Sequence, residues 1–218
     1  AVTGADGSGA QYPVDLAFSP VSPLQLGAEV TDALVATVRD GGVVVEILPC
    51  PAAGTTAPGS VSAAVATQNA EVLAGVVLVQ AVTPGTPVYY GPRLSSINPR
   101  TGAVTSGPPE TGVASIAAVL LARRYGLACD CYGPTSDSVV VDTQFGFEHM
   151  VNALLGLAAR PRFLSGPGEN QSGVGGSLEA LVIDDEVLNY AFYALSPRPW
   201  DPAALDVDVQ GEREVREV

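Results

Sequence analysis

From Val14 onward, short β-type runs alternate with segments of helical period, and this alternation limits the fold more than any other feature of the chain. Strand followed by helix, repeated, is the pattern of βαβ units around a parallel sheet. Five such units are predicted. Strands are expected at Asp15–Ser19, Val43–Leu48, Pro87–Tyr90, Leu127–Tyr132 and Arg162–Ser165. Helices are expected at Ala28–Arg39, from Ser60 to about Val82, from Pro109 to about Tyr125, and near Gln144–Ala159 and Leu178–Ala194. Punctuation sets these limits: Gly41-Gly42 ends the first helix, Ser60 is a candidate N-cap, Thr83-Pro84-Gly85 stops the second helix, and Pro109 with Glu110 opens the third. Helical spacing predicts buried stripes of Val30, Ala33, Leu34 and Val38 on the first, Val113, Ile116, Ala117, Leu120 and Leu121 on the third, and Phe147, Met150, Val151, Leu154 and Leu155 on the fourth.

The connections add a direction. Loops after strands are long and polar, with Gly91–Pro108 the longest, whereas the returns after helices are short, as at Gly41-Gly42 and Gly126. That asymmetry places a site at the carboxyl ends of the strands, in a barrel or a doubly wound sheet. A dinucleotide-binding sheet would need a Gly-x-Gly-x-x-Gly turn, and no βα turn here carries it. A complete eight-unit barrel takes about 250 residues. Five units in 218 residues are therefore read as a single domain, 1–218, forming part of an α/β barrel, with an acidic tail over 197–218 leading into the absent remainder. The absence of an initial Met and the uncapped run Gly211–Val218 are both read as cuts.

Composition narrows the partners. The 23 acidic residues outnumber 10 basic ones, all Arg, and a net charge of −13 argues against nucleic acid and anionic membranes as partners. Three cysteines are too few for a disulfide framework, so a reducing cytoplasm is expected. The most apolar run, Val72–Val82, falls short of the roughly 20 residues that span a bilayer.

Several linked motifs carry a family resemblance. Pro49-Cys-Pro-Ala-Ala-Gly-Thr-Thr-Ala-Pro-Gly-Ser-Val61, Asn69-Ala-Glu-Val-Leu-Ala-Gly-Val76 and Pro84-Gly-Thr-Pro-Val-Tyr-Tyr-Gly91 are followed by Ala122-Arg-Arg-Tyr-Gly-Leu127. Thr135-Ser-Asp-Ser138, Asp142-Thr-Gln-Phe-Gly-Phe-Glu148, Gly175-Gly-Ser-Leu-Glu-Ala-Leu181 and Asp184-Asp-Glu-Val-Leu188 complete the series. In this order and spacing they resemble the trimethylamine methyltransferase family, over roughly Phe18 to Glu217. The resemblance implies a (β/α)₈ TIM barrel, of which the chain would hold about five βα units from the C-terminal part. It also implies methyl transfer from a small methylated amine to the Co(I) corrinoid (cobalamin) of a partner corrinoid protein, with no cofactor held by this chain, and it leaves a homo-oligomer open. Archaeal members carry pyrrolysine near the strand matched to Leu127–Tyr132, whereas Tyr132-Gly-Pro-Thr-Ser-Asp137 holds only ordinary residues. That departure points to a quaternary amine such as glycine betaine rather than trimethylamine.

Displacing a neutral amine from a methyl group needs positioning and desolvation rather than a general base. A cation without N–H groups is held by aromatic faces, each worth about 0.5–2 kcal/mol, and by nearby carboxylates. The substrate-binding candidates are therefore Tyr89 and Tyr90, of which alternation lets only one face inward, with Tyr132, Asp137, Gln144, Phe145 and Glu148. Core packing competes for the aromatics, capping or an Asx-turn for Asp137, and a solvated face for Glu148. Asn69 and Glu71 are expected to pack against a loop, and His149 to lie on a helix surface. Two alternatives stay open: a zinc-thiolate methyltransferase using Cys50, Cys129 and Cys131, and a non-catalytic barrel portion acting as a binding subunit of a split enzyme.

Overall fold

A computed structural model describes residues 2–3, 11–12 and 14–196. The expected acidic tail and the run Gly211–Val218 lie outside these residues. The central element is a five-stranded sheet of β1 (Val14–Phe18), β2 (Val43–Ile47), β3 (Val88–Tyr90), β4 (Ala128–Tyr132) and β5 (Phe163–Ser165). Every pairing is parallel and the spatial order equals the chain order, β1-β2-β3-β4-β5. A doubly wound sheet reverses its strand order at a switch point, and this one does not. Five helices connect and follow the strands: α1 (Ala28–Asp40), α2 (Val61–Val82), α3 (Pro109–Tyr125), α4 (Thr143–Ala158) and α5 (Leu178–Leu195). Each packs on the next in the series. The sheet curls into a half-barrel, so that Asp15 of the first strand and Phe163 of the last line one cavity.

Each boundary expected for these strands and helices lies within about two residues of the observed one, because the punctuation is local. Pro109 stands at N1 of α3, and Gly126, at φ 72°, caps its other end through hydrogen bonds to Ala122 O and Arg123 O. Asp142 and Ser177 cap α4 and α5 by accepting from the N–H groups of Phe145 and Ala180.

Strand alternation splits the sheet chemically. The convex face sends Phe18, Val43, Val45, Ile47, Tyr90, Cys129 and Cys131 into one apolar core with Leu34, Val38, Val72, Val79 and Val119 from the helices. Full burial of such aliphatic and aromatic side chains contributes about 1.5–3 kcal/mol each. The concave face carries Asp15, Glu46, Tyr89 and Asp130.

Three expected stripes are corrected. On α1, Leu34 and Val38 are buried but Val30 is 48% exposed. On α3 the buried residues are Thr111, Gly112, Ala114, Ser115, Ala118, Val119 and Ala122, while Val113 and Leu120 face outward. On α4 Phe145, His149, Asn152, Ala153, Gly156 and Leu157 are buried, while Phe147 and Val151 are exposed. On α3 small residues win the inner positions because it approaches the sheet and α4 closely; a Cβ on Gly112 would come within 2.7 Å of Leu155 Cδ1. Helix α2 is long and apolar enough to cross a membrane by composition, but it buries Gln68 and Glu71 as well as Val72 and Val79 against its neighbours.

The same close approach yields a test. A Cβ on Gly75 in α2 would stand 2.6 Å from Ile47 Cγ2. Gly75→Ala gains about 1 kcal/mol of helix propensity but overpacks the core at a cost of about 1–3 kcal/mol. Thermal unfolding is expected to show a lowered midpoint; a raised one would contradict this contact.

Candidate functional site

The carboxyl ends of the strands open into a cleft of about 540 Å³ whose wall includes Cys50, Arg93, Ser106, Tyr132, Glu169 and Ser172. Four loops build it. The loop after β2 supplies Cys50, the loop after β3 Arg93 and Ser106, and the loop after β5 Glu169 and Ser172, while the loop after β4 sets Thr135 behind Tyr132. A hydrogen-bonded chain runs along the cleft: Tyr132 Oη donates to Glu169 Oε2 at 2.8 Å, Thr135 Oγ1 donates to Tyr132 Oη at 3.1 Å, and Ser106 Oγ meets Thr135 Oγ1 at 2.7 Å. Burial pushes the Tyr132 phenol up to about 12, against the hydrogen bond from Thr135 and with Glu169 adding to the rise, so it is a neutral donor. The Arg93 guanidinium lies 5.4 Å from the Tyr132 ring centroid, within cation–π range.

Arg93 also reaches down onto the concave face. Its Nη2 lies 2.6 Å from Asp130 Oδ2 and 3.2 Å from Glu46 Oε1, and all three side chains are almost buried. Glu46 packs over Gly91, where any Cβ would collide with the Glu46 carboxyl. Burial pushes Glu46 up to about 7, opposed by Arg93 and aided by the neighbouring, hydrogen-bonding Asp130.

Of the aromatics expected at the site, Tyr132 lies in the cleft and Tyr89 on the concave face below it, where its ring centroid is 5.0 Å from that of Phe163. Tyr90 is a correction. It points to the convex side, wholly buried, and donates to Asn69 Oδ1 at 2.9 Å, as the alternation that turns Tyr89 inward requires. Phe145 is also corrected: it is wholly buried on α4 and stacks on His149 with centroids 3.7 Å apart.

The polar candidates serve the loops. Asp137 Oδ1 accepts from the N–H groups of Ser106 and Gly107 and from Ser172 Oγ at 2.7–2.9 Å, so one carboxylate ties the loops after β3, β4 and β5 together. Glu148 accepts from Ser136 Oγ at 2.7 Å and Asp137 N at 2.9 Å, while Gln144, exposed, donates to Glu148 Oε1 at 3.0 Å. Glu71 holds a loop as expected, accepting from Ser22 Oγ and Leu24 N.

The thiols do not meet. Cys129 and Cys131 share a face as their spacing requires, but it is the convex, core face, whereas Cys50 lies at the cleft. Among the described residues no three His, Cys, Asp or Glu side chains gather as a metal site, which corrects the expected three-thiolate alternative. Burial pushes both core thiols up, Cys131 to about 11, opposite to what a thiolate ligand needs.

His149 is also corrected. Instead of lying on a surface it is wholly buried, with Nδ1 2.6 Å from Asp184 Oδ1, and Asp184 Oδ2 accepts from Gly168 N at 2.6 Å. The pair thereby anchors the base of the loop that delivers Glu169. Asn152, buried mid-helix, accepts from Gly112 N and donates to Gly107 O.

Glu46, Arg93, Asp130, Asn152, Glu169 and Asp184 were missed as functional residues. A usable signal existed for two of them. A lone acid in Val43-Val-Val-Glu-Ile47 and another between Cys129 and Cys131 mark the inward positions of strands whose other residues are apolar or thiol-bearing.

The model of the trimethylamine methyltransferase family matches residues 1–217. A trimethylamine methyltransferase of Methanosarcina thermophila is 32% identical over 189 residues, 87% of this chain and 39% of its own. A glycine betaine methyltransferase of Desulfitobacterium hafniense is 33% identical, covering 88% of this chain and 40% of its own. A proline betaine:corrinoid methyltransferase of Eubacterium limosum is 33% identical, over 77% of this chain and 34% of its own. The chain thus spans about two fifths of the length of the first of these relatives.

Glu46 gives a stability test. A group with a raised folded-state pKa contributes stability that is complete below its ordinary range and is lost as pH rises through the folded value. Its contribution is therefore present below about 4.5 and gone above about 7. Chemical denaturation of the wild type against Glu46→Gln is expected to show the wild type losing on the order of 2 kcal/mol more than the variant over this interval. Equal slopes for the two proteins would refute the assignment.

Proposed function

The chain belongs to the trimethylamine methyltransferase family, and from that premise we propose that it forms the substrate-recognition half of a (β/α)₈ TIM barrel that takes a methyl group from a methylated amine. A quaternary amine such as glycine betaine is the substrate class proposed. Acting on methylated amines is what the names of its relatives share. The observation that carries the reading to this cleft is the pairing of the Tyr132 ring with the Glu169 carboxylate at the carboxyl ends of the strands.

The chemistry asks little of the protein beyond placement. An aromatic face and a carboxylate hold the ammonium head, and the uncharged Tyr132 hydroxyl leaves the anionic contribution to Glu169. Over-tight holding of that charge would slow the reaction, because positive charge on nitrogen fades toward the transition state. Arg93 is occupied by Asp130 and Glu46, which keeps its own charge from repelling the head. The loops pinned by Asp137 and Glu148 wall the cleft and restrict water. A Co(I) corrinoid carried by a partner protein would supply the nucleophile, with the loops at the carboxyl ends of the strands presenting the methyl group to it.

Titration calorimetry of the natural full-length protein with glycine betaine, choline, carnitine and trimethylamine tests this. Saturable binding of one of them, weakened about tenfold or more by Tyr132→Ala or Glu169→Gln, is expected, which corresponds to at least 1.4 kcal/mol. Binding by none of the four would overturn the reading. Binding unchanged in both variants would move the site out of this cleft.

A further inference from the structure

The loop that carries Glu169 has a root with little of its own to hold it. Between the end of β5 at Ser165 and Glu169 run Gly166, Pro167 and Gly168, with the two glycines at φ 113° and 86°. Glycine has no side chain by which packing could locate it, so the place of Glu169 depends on bonds to the backbone beside it. Among the described residues one side chain makes such a bond to residues 166–168: Asp184 Oδ2 accepts from Gly168 N at 2.6 Å. Asp184 stands on α5, wholly buried, and its other oxygen is bonded to His149 Nδ1 of α4 at 2.6 Å.

Hydrophobic packing alone asks for neither group at the α4–α5 contact. A buried polar atom left unpaired is costly, yet His149 Nε2 has no partner, and the imidazole lies flat against Phe145 with ring centroids 3.7 Å apart. The ring is fixed in the orientation that serves Asp184 while its other nitrogen goes without. One residue earlier on the same helix, Glu148 accepts from Ser136 Oγ and Asp137 N, in the loop whose Thr135 donates to Tyr132 Oη. Consecutive residues of α4 therefore reach both partners of the Tyr132–Glu169 hydrogen bond, Glu148 through the loop after β4 and His149 through Asp184 and Gly168. Hydrogen bonds along its backbone keep a helix turn stiff, so both loops take their positions from one reference.

We propose that His149 and Asp184 are positioning residues for the cleft: through Gly168 they set where the Glu169 carboxylate stands against Tyr132, and so how tightly the cleft holds a quaternary ammonium ion. The second step rests on the cleft being the ammonium site; the first does not. A group that contacts a ligand is held in place by neighbours whose own rotamers are locked by packing and hydrogen bonds, and this pair is locked by both.

The test uses the natural full-length protein with its tyrosines labelled with carbon-13 at Cζ, whose resonance follows the hydrogen bonding of the hydroxyl. The Tyr132 signal, identified by its loss in Tyr132→Phe, is expected to move in Glu169→Gln and to move in the same direction in Asp184→Asn. Gly75→Ala, which disturbs the core against Ile47, is expected to leave the signal in place, so that a shift reports position rather than stability. His149→Leu is expected to shift it as well, and His149→Asn, which returns a donor near the place of Nδ1, to shift it less; if Asp184→Asn does not fold, these two variants decide. Calorimetric titration with tetramethylammonium chloride then closes a double-mutant cycle: Asp184→Asn is expected to weaken binding several-fold in the wild-type background and hardly at all beside Glu169→Gln. A Tyr132 signal unmoved by both Asp184→Asn and His149→Leu would overturn the proposal, as would equal losses of affinity in the two backgrounds. A wild-type protein that binds no tetramethylammonium ion would overturn the affinity step together with the reading of the cleft, while the Tyr132 signal would still decide whether the pair positions Glu169.

Discussion

One guanidinium holds together what would otherwise be the least stable part of this sheet. Arg93, sent back from the loop after β3, sits between the carboxyls of β2 and β4 and contacts both. Removing it would leave Glu46 and Asp130 buried side by side without a counter-charge, a situation that costs about 3–5 kcal/mol when one partner of a buried pair is lost. Its position also explains why the concave face has two compartments: the guanidinium lines the cleft above, and the carboxyls it binds line the cavity below.

That polar interior is affordable because the convex face is so thoroughly apolar. Val43, Val45 and Ile47 are almost wholly buried there, and the small residues of α3 let the helix layer close on them. At the rim a smaller apolar cluster of Ala53, Ala57 and Leu94 with Val65 and Ala114 holds the loops after β2 and β3, and polar side chains hold the loops after β4 and β5. Asp137 joins three loops, Glu148 joins a helix to one of them, and the His149–Asp184 pair fastens the loop carrying Glu169. Few of these residues need to touch a substrate for the site to depend on them.

Much of the architecture was legible in the sequence because its determinants are local. Glycine at the end of α1 and of α3, proline at the start of α3, and alternation within β2 and β4 act over a few residues, so five strands and five helices were placed nearly where they lie. Hydrophobicity alone does not fix which face of a helix is buried. On α3 the closely approached positions take glycine, alanine and serine and leave Leu120 outside, whereas α4 buries Phe145 and His149 beside Asn152, Ala153 and Gly156 and leaves Phe147 outside. Where α3 closes on its neighbours, size rather than polarity decides which residue fits.

By itself the sequence determined the βα succession, the placement of the long loops at the carboxyl ends of the strands, and the family, because these reside in order and spacing along the chain. It also required that Tyr89 and Tyr90 point opposite ways. Only the tertiary structure decided which of them faces inward, that Cys129 and Cys131 face the core, and that Arg93 meets Glu46 and Asp130 across 47 and 37 residues of chain. The reason is physical: the direction of curl and the register between parallel strands are set by packing the whole convex face at once, and no single strand carries that information.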